Sequence, residues 1–301
     1  INVTLDVYRR NNYDLIGVVN TQGVNRSAMS YGNVASMKSH GEELSISTTN
    51  IKNKDFSWTT NFIYSHAVNE VTELMSRANT MDYISGSGFA MTGYPVRALF
   101  SIPFVGLNEN GYPMFINEKG NVTTTEINFQ ERDNNSYLKY EGPTDPVYTG
   151  SLGNIFTYKG FRLNIFLTYS FGNVVRLDPV FSYKYNDLSS MTKEFKNRWM
   201  MPGDEKITNV PVILSKREYN DNYELHYGYN AYNYSTERVA KGDFIRMKEI
   251  SFGYDFPSKW FKGMALNSLS VKLQGTDLFL IYADKKLNGQ DPEFFRAGGV
   301  S

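Results

Sequence analysis

Polar and apolar residues alternate one for one along seven stretches of the chain, roughly 1–9, 42–51, 55–67, 147–158, 161–171, 243–256 and 268–281. Successive side chains of a β-strand point to opposite faces, so this alternation predicts seven strands, each with one apolar and one polar face. The clearest runs from Phe161 to Phe171. Phe161, Leu163, Ile165, Leu167, Tyr169 and Phe171 share one face, and Arg162, Asn164, Thr168 and Ser170 share the other. Only Phe166 breaks the pattern. Likewise Leu269, Val271 and Leu273 stand opposite Ser270, Lys272 and Gln274, and Phe56, Trp58, Phe62 and Tyr64 stand opposite Ser57, Thr59, Asn61 and Ser65.

The connections between these strands alternate too. Only Lys52-Asn53-Lys54 separates the second stretch from the third, and only Lys159-Gly160 the fourth from the fifth, where Gly can supply the positive φ of a tight hairpin. A short link opening at Pro257 joins the last two stretches. The remaining connections, 10–41, 68–146 and 172–242, are far longer than compact soluble domains normally carry. Tight turns at one end and large loops at the other are the pattern of an outer-membrane barrel. A soluble sandwich with one wet face would also alternate, but has no physical reason to gather its long loops at one end. The expected fold class is all-β, an antiparallel transmembrane β-barrel segment with long extracellular loops. Seven strands cannot close a barrel of transporter width, so this reading requires strands beyond those in the chain.

Composition is compatible with this reading. Of 301 residues, 15% are aromatic and 22 are Tyr, a side chain suited to surfaces that are apolar at one end and wet at the other. Lys and Arg total 31, as do Asp and Glu, which argues against nucleic acid as the partner because phosphate binding needs a net basic face. Without Cys, the chain can form no disulfide, thiolate zinc site or Cys nucleophile. No stretch of about 18 apolar residues is present, so no transmembrane helix is expected; barrel strands need no such stretch. The chain opens at Ile1 within a strand-like segment, with neither Met nor signal peptide, and is expected to be a fragment or processed piece.

Candidate chemistry is sparse. His40, His66 and His226 lie in separate segments with no metal-ligand spacing, so no metal site is expected. Gly106–Gly111 and Asn117–Asn121 faintly resemble oxygen-rich cation loops, but Gly/Asn turn chemistry explains them better. The acidic pairs Glu42-Glu43 and Asp204-Glu205 are adjacent rather than separated as glycosidase carboxylates must be, and G-x-S-x-G is missing. The chain therefore reads as non-catalytic and free of cofactors. Its most site-like stretch is 219–234, where Tyr219, Tyr223, Tyr227, Tyr229, Tyr232 and Tyr234 are interleaved with Asn222, Asn230 and acids. Aromatic rings stack on sugar faces and amides bind hydroxyls, so these eight residues are candidates for contacting an extracellular ligand or partner. The alternative is a loop whose rings pack on their neighbours.

A run of ordered motifs resembles one family. Lys241-Gly-Asp-Phe-Ile-Arg-Met-Lys-Glu-Ile-Ser-Phe-Gly-Tyr-Asp-Phe-Pro257 closely resembles the penultimate strand region of SusC/RagA-like TonB-dependent transporters. Leu269–Phe279 resembles the family strand ending in Asn/Asp-Leu-Phe, and Asn288-Gly-Gln-Asp-Pro-Glu293 its following loop. Upstream, Asn33–Leu44 is similar to the family's lead into a strand, with Ala35 where Gly is usual. Asp55-Phe-Ser-Trp58, Gly93-Tyr-Pro-Val96, Gly106–Gly111 and Arg198-Trp199 resemble further family elements. The resemblance implies a 22-stranded barrel with an N-terminal plug, driven by TonB, capped by a SusD-like surface lipoprotein, and importing oligosaccharide or oligopeptide through the outer-membrane lipid, glycan more often than peptide. Residues 1–301 would then be the C-terminal part of the barrel domain, lacking the plug and the final, aromatic-ended strand.

Overall fold

In a computed structural model the described residues are 1–20, 29–75, 78–179, 193–263 and 266–296. The chain runs through β1 (Asn2–Asn20), β2 (Met29–Lys52), β3 (Phe56–Leu74), helix α1 (Thr80–Ile84), and the short strands β4 (Ala98–Ser101), β5 (Phe104–Leu107), β6 (Pro113–Ile116), β7 (Val122–Thr123) and β8 (Lys139–Pro143). Next come β9 (Tyr148–Tyr158), β10 (Phe161–Phe171), β11 (Val174–Arg176), α2 (Lys216–Asp221), α3 (Leu225–Asn233) and β12 (Val239–Lys241). The last strands are β13 (Phe244–Asp255) and β14 (Ser270–Ala283). Seven of them form one antiparallel sheet in the order β1-β2-β3-β9-β10-β13-β14, the seven strands read from alternation and in chain order.

Register turns the alternation of single strands into a property of the whole sheet. Reading across hydrogen-bonded partners, one rung is Val3, Ile46, Phe62, Leu152, Leu167, Met247 and Phe279. The next apolar rung is Leu5, Leu44, Tyr64, Gly150, Tyr169, Ile245 and Tyr282. Between them lies the opposite face, Thr4, Ser45, Ile63, Ser151, Thr168, Arg246 and Leu280. A soluble sheet buries its apolar face. Here Val3, Leu5, Val271 and Leu273 are exposed, the outward apolar face that a barrel wall offers to lipid.

Aromatic rings edge this face at both ends. Near the tight turns, Phe161 lies 4.4 Å from Tyr254, Tyr254 4.8 Å from Phe256, and Trp58 stacks on Phe156 at 5.7 Å. Near the long loops, Tyr64 and Tyr148, then Tyr169 and Phe171, then Phe171 and Tyr282 approach at 6.3, 5.8 and 6.4 Å. Ten residue steps from Phe161 to Phe171 are roughly 33 Å of strand, or about 25 Å of height at a tilt near 40°, the depth of an outer-membrane apolar band.

Two exceptions to alternation have local causes. Phe166 points to the polar face because its directly paired neighbour is Gly153, which leaves room for a ring; a Cβ there would stand 3.3 Å from Phe166 Cδ2. Asn154 sits on the apolar face, where its carbonyl accepts from Trp58 Nε1 at 2.9 Å and Thr60 Oγ1 at 2.8 Å, so that oxygen meets lipid already bonded. Gly150 is required by close approach, since a Cβ would overlap Ile63 O and the Tyr169 hydroxyl that donates to it at 3.1 Å.

The structure corrects the long connections. Most of 10–41 is strand, because β1 and β2 stay paired from Asn2–Ser47 to Asn20–Met29; only 21–28 lies outside the described residues. At about 3.3 Å per residue the 24 residues of β2 make a ladder of roughly 80 Å, far more than a membrane crossing needs. A ladder standing in water on both faces has no reason to alternate, as Arg9-Arg10-Asn11-Asn12 does not. Register also slips between Asn12 and Ile16, with Asp14 at φ 54°, breaking the period. The other two long connections fold into a cap holding three small sheets, β4-β8, β5-β6-β7 and β11-β12. The largest buried cluster belongs to this cap: Ile84, Ala98, Phe100, Ile102, Phe115, Ala231 and Tyr232. The sequence-based expectation of plain loops missed it because its elements are two to nine residues long, too short to show a period.

Candidate functional site

The Tyr-rich stretch 219–234 is helical rather than loop-like. Ser215 caps α2, its hydroxyl accepting from Glu218 N at 3.1 Å, and α3 follows after a turn at Asn222–Glu224. Helical spacing splits the candidates between two environments. Tyr229 and Tyr232, three apart, are each 1% exposed. Tyr229 donates to Val212 O at 2.6 Å and packs with Leu214 and Leu225, while Tyr232 joins the main core beside Phe104. Burial pushes both phenols well above their ordinary range. They are packing residues. Asn230 is half-buried, and Tyr234 packs against the core from the far end of α3.

Tyr219, Tyr223 and Tyr227 come together at the surface. Tyr223 stacks on His226 at 5.9 Å, Tyr219 approaches both rings at 6.3 Å, and Tyr227 lies 5.7 Å from His226. Tyr223 is 61% and Tyr227 43% exposed, with Asn222 exposed beside them. Nothing in the spacing of His226 marked it for this cluster; the helix creates it. The patch is anchored by Tyr112, whose hydroxyl donates to the Glu218 carboxylate. Burial and this bond push the Tyr112 phenol up to about 12.

Tyr227 also lines an open groove of about 1030 Å³ with Glu224 and the turn segments 118–119 and 125–131. Glu118, Glu126, Glu131 and Glu224 face Lys119 alone, so its field is acidic. The segments are held by turn chemistry: Asn117 Oδ1 accepts from Lys119 N and Asn121 N at 3.1 and 3.0 Å, and Gly120 has φ 79°. Glu131 accepts from three successive backbone N–H groups, which holds its carboxyl below the usual range. Sequence reading missed this groove because its two sides lie about a hundred residues apart. Rings that can stack on sugar faces, amides at Asn128 and Gln130, and carboxylates make it able to hold a polyhydroxylated or cationic oligomer.

Two motifs read separately meet at the mouth. Arg246 of β13 is nearly enclosed and binds Asp291 through both carboxylate oxygens, at 2.5 and 2.6 Å, and Glu293 at 3.0 Å. Asn288 Nδ2 donates to Glu194 at 2.8 Å, Gln290 Nε2 to Asp178 at 3.0 Å, and Leu287 is buried against Val175, Leu177 and Ala240. Residues 284–293 therefore form a strap tied across the cap. Among the described residues no cluster of His, Cys, Asp or Glu is arranged to hold a metal, and no helix is long and apolar enough to cross a membrane.

No family model matches the chain. It is 23% identical over 339 aligned positions to TonB-dependent receptor P39 of Formosa agariphila, covering 100% of this chain and 32% of that protein. To TonB-dependent receptor SusC of Bacteroides thetaiotaomicron it is 25% identical, covering 96% and 27%. The chain thus spans between a quarter and a third of the length of such relatives. Among solved structures, that of the RagAB peptide transporter superposes with a TM-score of 0.71 at 21% identity, over 97% of this chain and 30% of that one. The same importer in its open-open state gives 0.70. The chain is thus similar over its whole length to one segment of the TonB-dependent receptors, SusC among them, and shares the fold of the corresponding segment of the RagAB transporter.

Proposed function

We propose that the chain supplies wall and mouth to a TonB-dependent importer of oligomeric nutrients, as the C-terminal part of a 22-stranded barrel whose plug lies elsewhere in the protein. The observation that carries the reading is the pair of apolar rungs crossing all seven strands, with the connections 68–146 and 172–242 folded together into one cap. Such a wall is built to divide lipid from a wide polar interior. In this reading the cap faces outward, where a SusD-like lipoprotein would cover it, and the part is not an enzyme. Exposed Tyr223 and Tyr227 above the groove are the contact residues for ligand or partner. Ring stacking and amide chemistry favour a glycan, while the acidic field also suits a peptide.

Uptake decides the matter. In cells whose only copy of the full protein carries Tyr223→Ala and Tyr227→Ala, import of labelled oligomer should fall at least several-fold with the outer-membrane level of the protein unchanged. Parallel glycan and peptide uptake identifies the cargo. Unaltered uptake of both would remove these tyrosines from the site, and absence of uptake by the unmodified protein would refute import.

A further inference from the structure

On another part of the cap, a cavity of about 550 Å³ opens between the Ser85-Gly86-Ser87 turn, the end of β11 and the rings of Tyr234, Phe294 and Phe295. Arg176 lines it and is held from four sides. Its Nη1 donates to Ser101 Oγ at 3.1 Å and Ser235 O at 2.8 Å, and its Nη2 to Ile84 O at 3.2 Å and Phe100 O at 2.7 Å. All four acceptors are neutral. Among the described residues the enclosed Nε–H has no partner, and no ion pair includes Arg176. The acid it feels most is Glu141, beyond ion-pair distance, and burial weighs against its charged form. A guanidinium withdrawn from water without a counterion is costly, and an anion beside it relieves that cost.

The other charged groups lining the cavity are already engaged. Arg97 is shared between Ser87 O at 3.0 Å and Asp145 at 2.7 Å, and the one lining acid, Asp178, accepts from Gln290. Ser85 and Ser87 hydroxyls lie 2.9 Å apart, so the pair uses one hydroxyl hydrogen internally and keeps one to donate outward. Gly86 lets this turn lie against the arginine, since a Cβ would stand 3.2 Å from Arg176 Cβ. Phe294, exposed at the mouth, and Tyr234 provide apolar walls.

We propose that this cavity is a subsite for a carboxylate of the imported oligomer, with Arg176 as its positive centre and the Ser85–Ser87 pair as hydrogen-bond donor. The inference rests on the import reading above. A peptide C-terminus and a uronic acid offer the same group.

The test uses the full transporter in detergent and calorimetric titration with matched pairs: tetra-alanine against its C-terminal amide, and trigalacturonate against its methyl ester. At least one free acid should bind about tenfold or more tightly than its neutral partner, the scale of one charge-assisted hydrogen bond. Which pair discriminates names the source. Phe294→Asp, placed on an exposed ring, should weaken the acid by a similar factor and leave the neutral ligand unchanged, as should Arg176→Gln where the cap remains folded. Equal binding within both pairs, binding of neither acid, or equal weakening of both members by Phe294→Asp would overturn the proposal. Cells that import neutral oligomers while the purified protein ignores carboxylates would keep the import reading and discard only this subsite.

Discussion

Tyr112 and Glu218 show how a single side-chain pair ties distant parts of the cap together, since one follows the Gly106–Gly111 turn and the other opens α2. Because burial and then the bond raise the phenol above its ordinary value of 10.0, the folded cap holds this proton more tightly than the unfolded chain. Its contribution to stability is therefore complete below pH 10 and is lost as pH rises through about 12. Ultraviolet titration of the full protein against a Tyr112→Phe variant should reveal one phenol ionising near that upper value. A difference spectrum centred at the ordinary tyrosine value would show the pair to be broken in solution.

At the scale of elements, the wall makes a sharp distinction between adjacent positions. Leu167 lies on the apolar rung between Leu152 and Met247, and Thr168 on the polar rung between Ser151 and Arg246. Arg at Leu167 should cost about 2–4 kcal/mol in denaturant unfolding of the complete barrel in lipid vesicles, and Arg at Thr168 much less. Equal costs would mean the two faces are not separated by lipid and interior. The seven wall strands were legible in sequence because lipid on one side and water on the other force a period of two. Beyond the membrane that constraint ends, which is why residues 10–20 and 29–41 of β1 and β2 read as loop. The tyrosine stretch was legible as chemistry but not as geometry: only the α3 helix sends Tyr229 and Tyr232 inward and leaves Tyr223 and Tyr227 outside. Arg176 carried no sequence signal, since its acceptors come from segments up to 92 residues away.

Across the whole molecule, wall and cap are held to one another by the strap through Arg246. Both of its carboxylate partners are nearly half exposed, so Asp291→Asn with Glu293→Gln should cost roughly 1–2 kcal/mol, below the figure for a fully buried pair. Hydrogen exchange of the full protein should then quicken in 284–293 while β13 stays protected. Exchange unchanged in the strap would show that Leu287 and the amide ties suffice without the charges.

The placement of the main core in the cap rather than the sheet also sets how each part tolerates mutation. Lipid chains are fluid and reshape themselves around whatever apolar outline they meet, so Leu, Ile, Val and Phe can exchange along the outer rungs with little penalty. Around Phe100 and Tyr232 the neighbours are protein packed to solid density, where one missing ring leaves a void that nothing flows in to fill. Random substitution should therefore find the wall forgiving in shape but strict in polarity, and the cap strict in both.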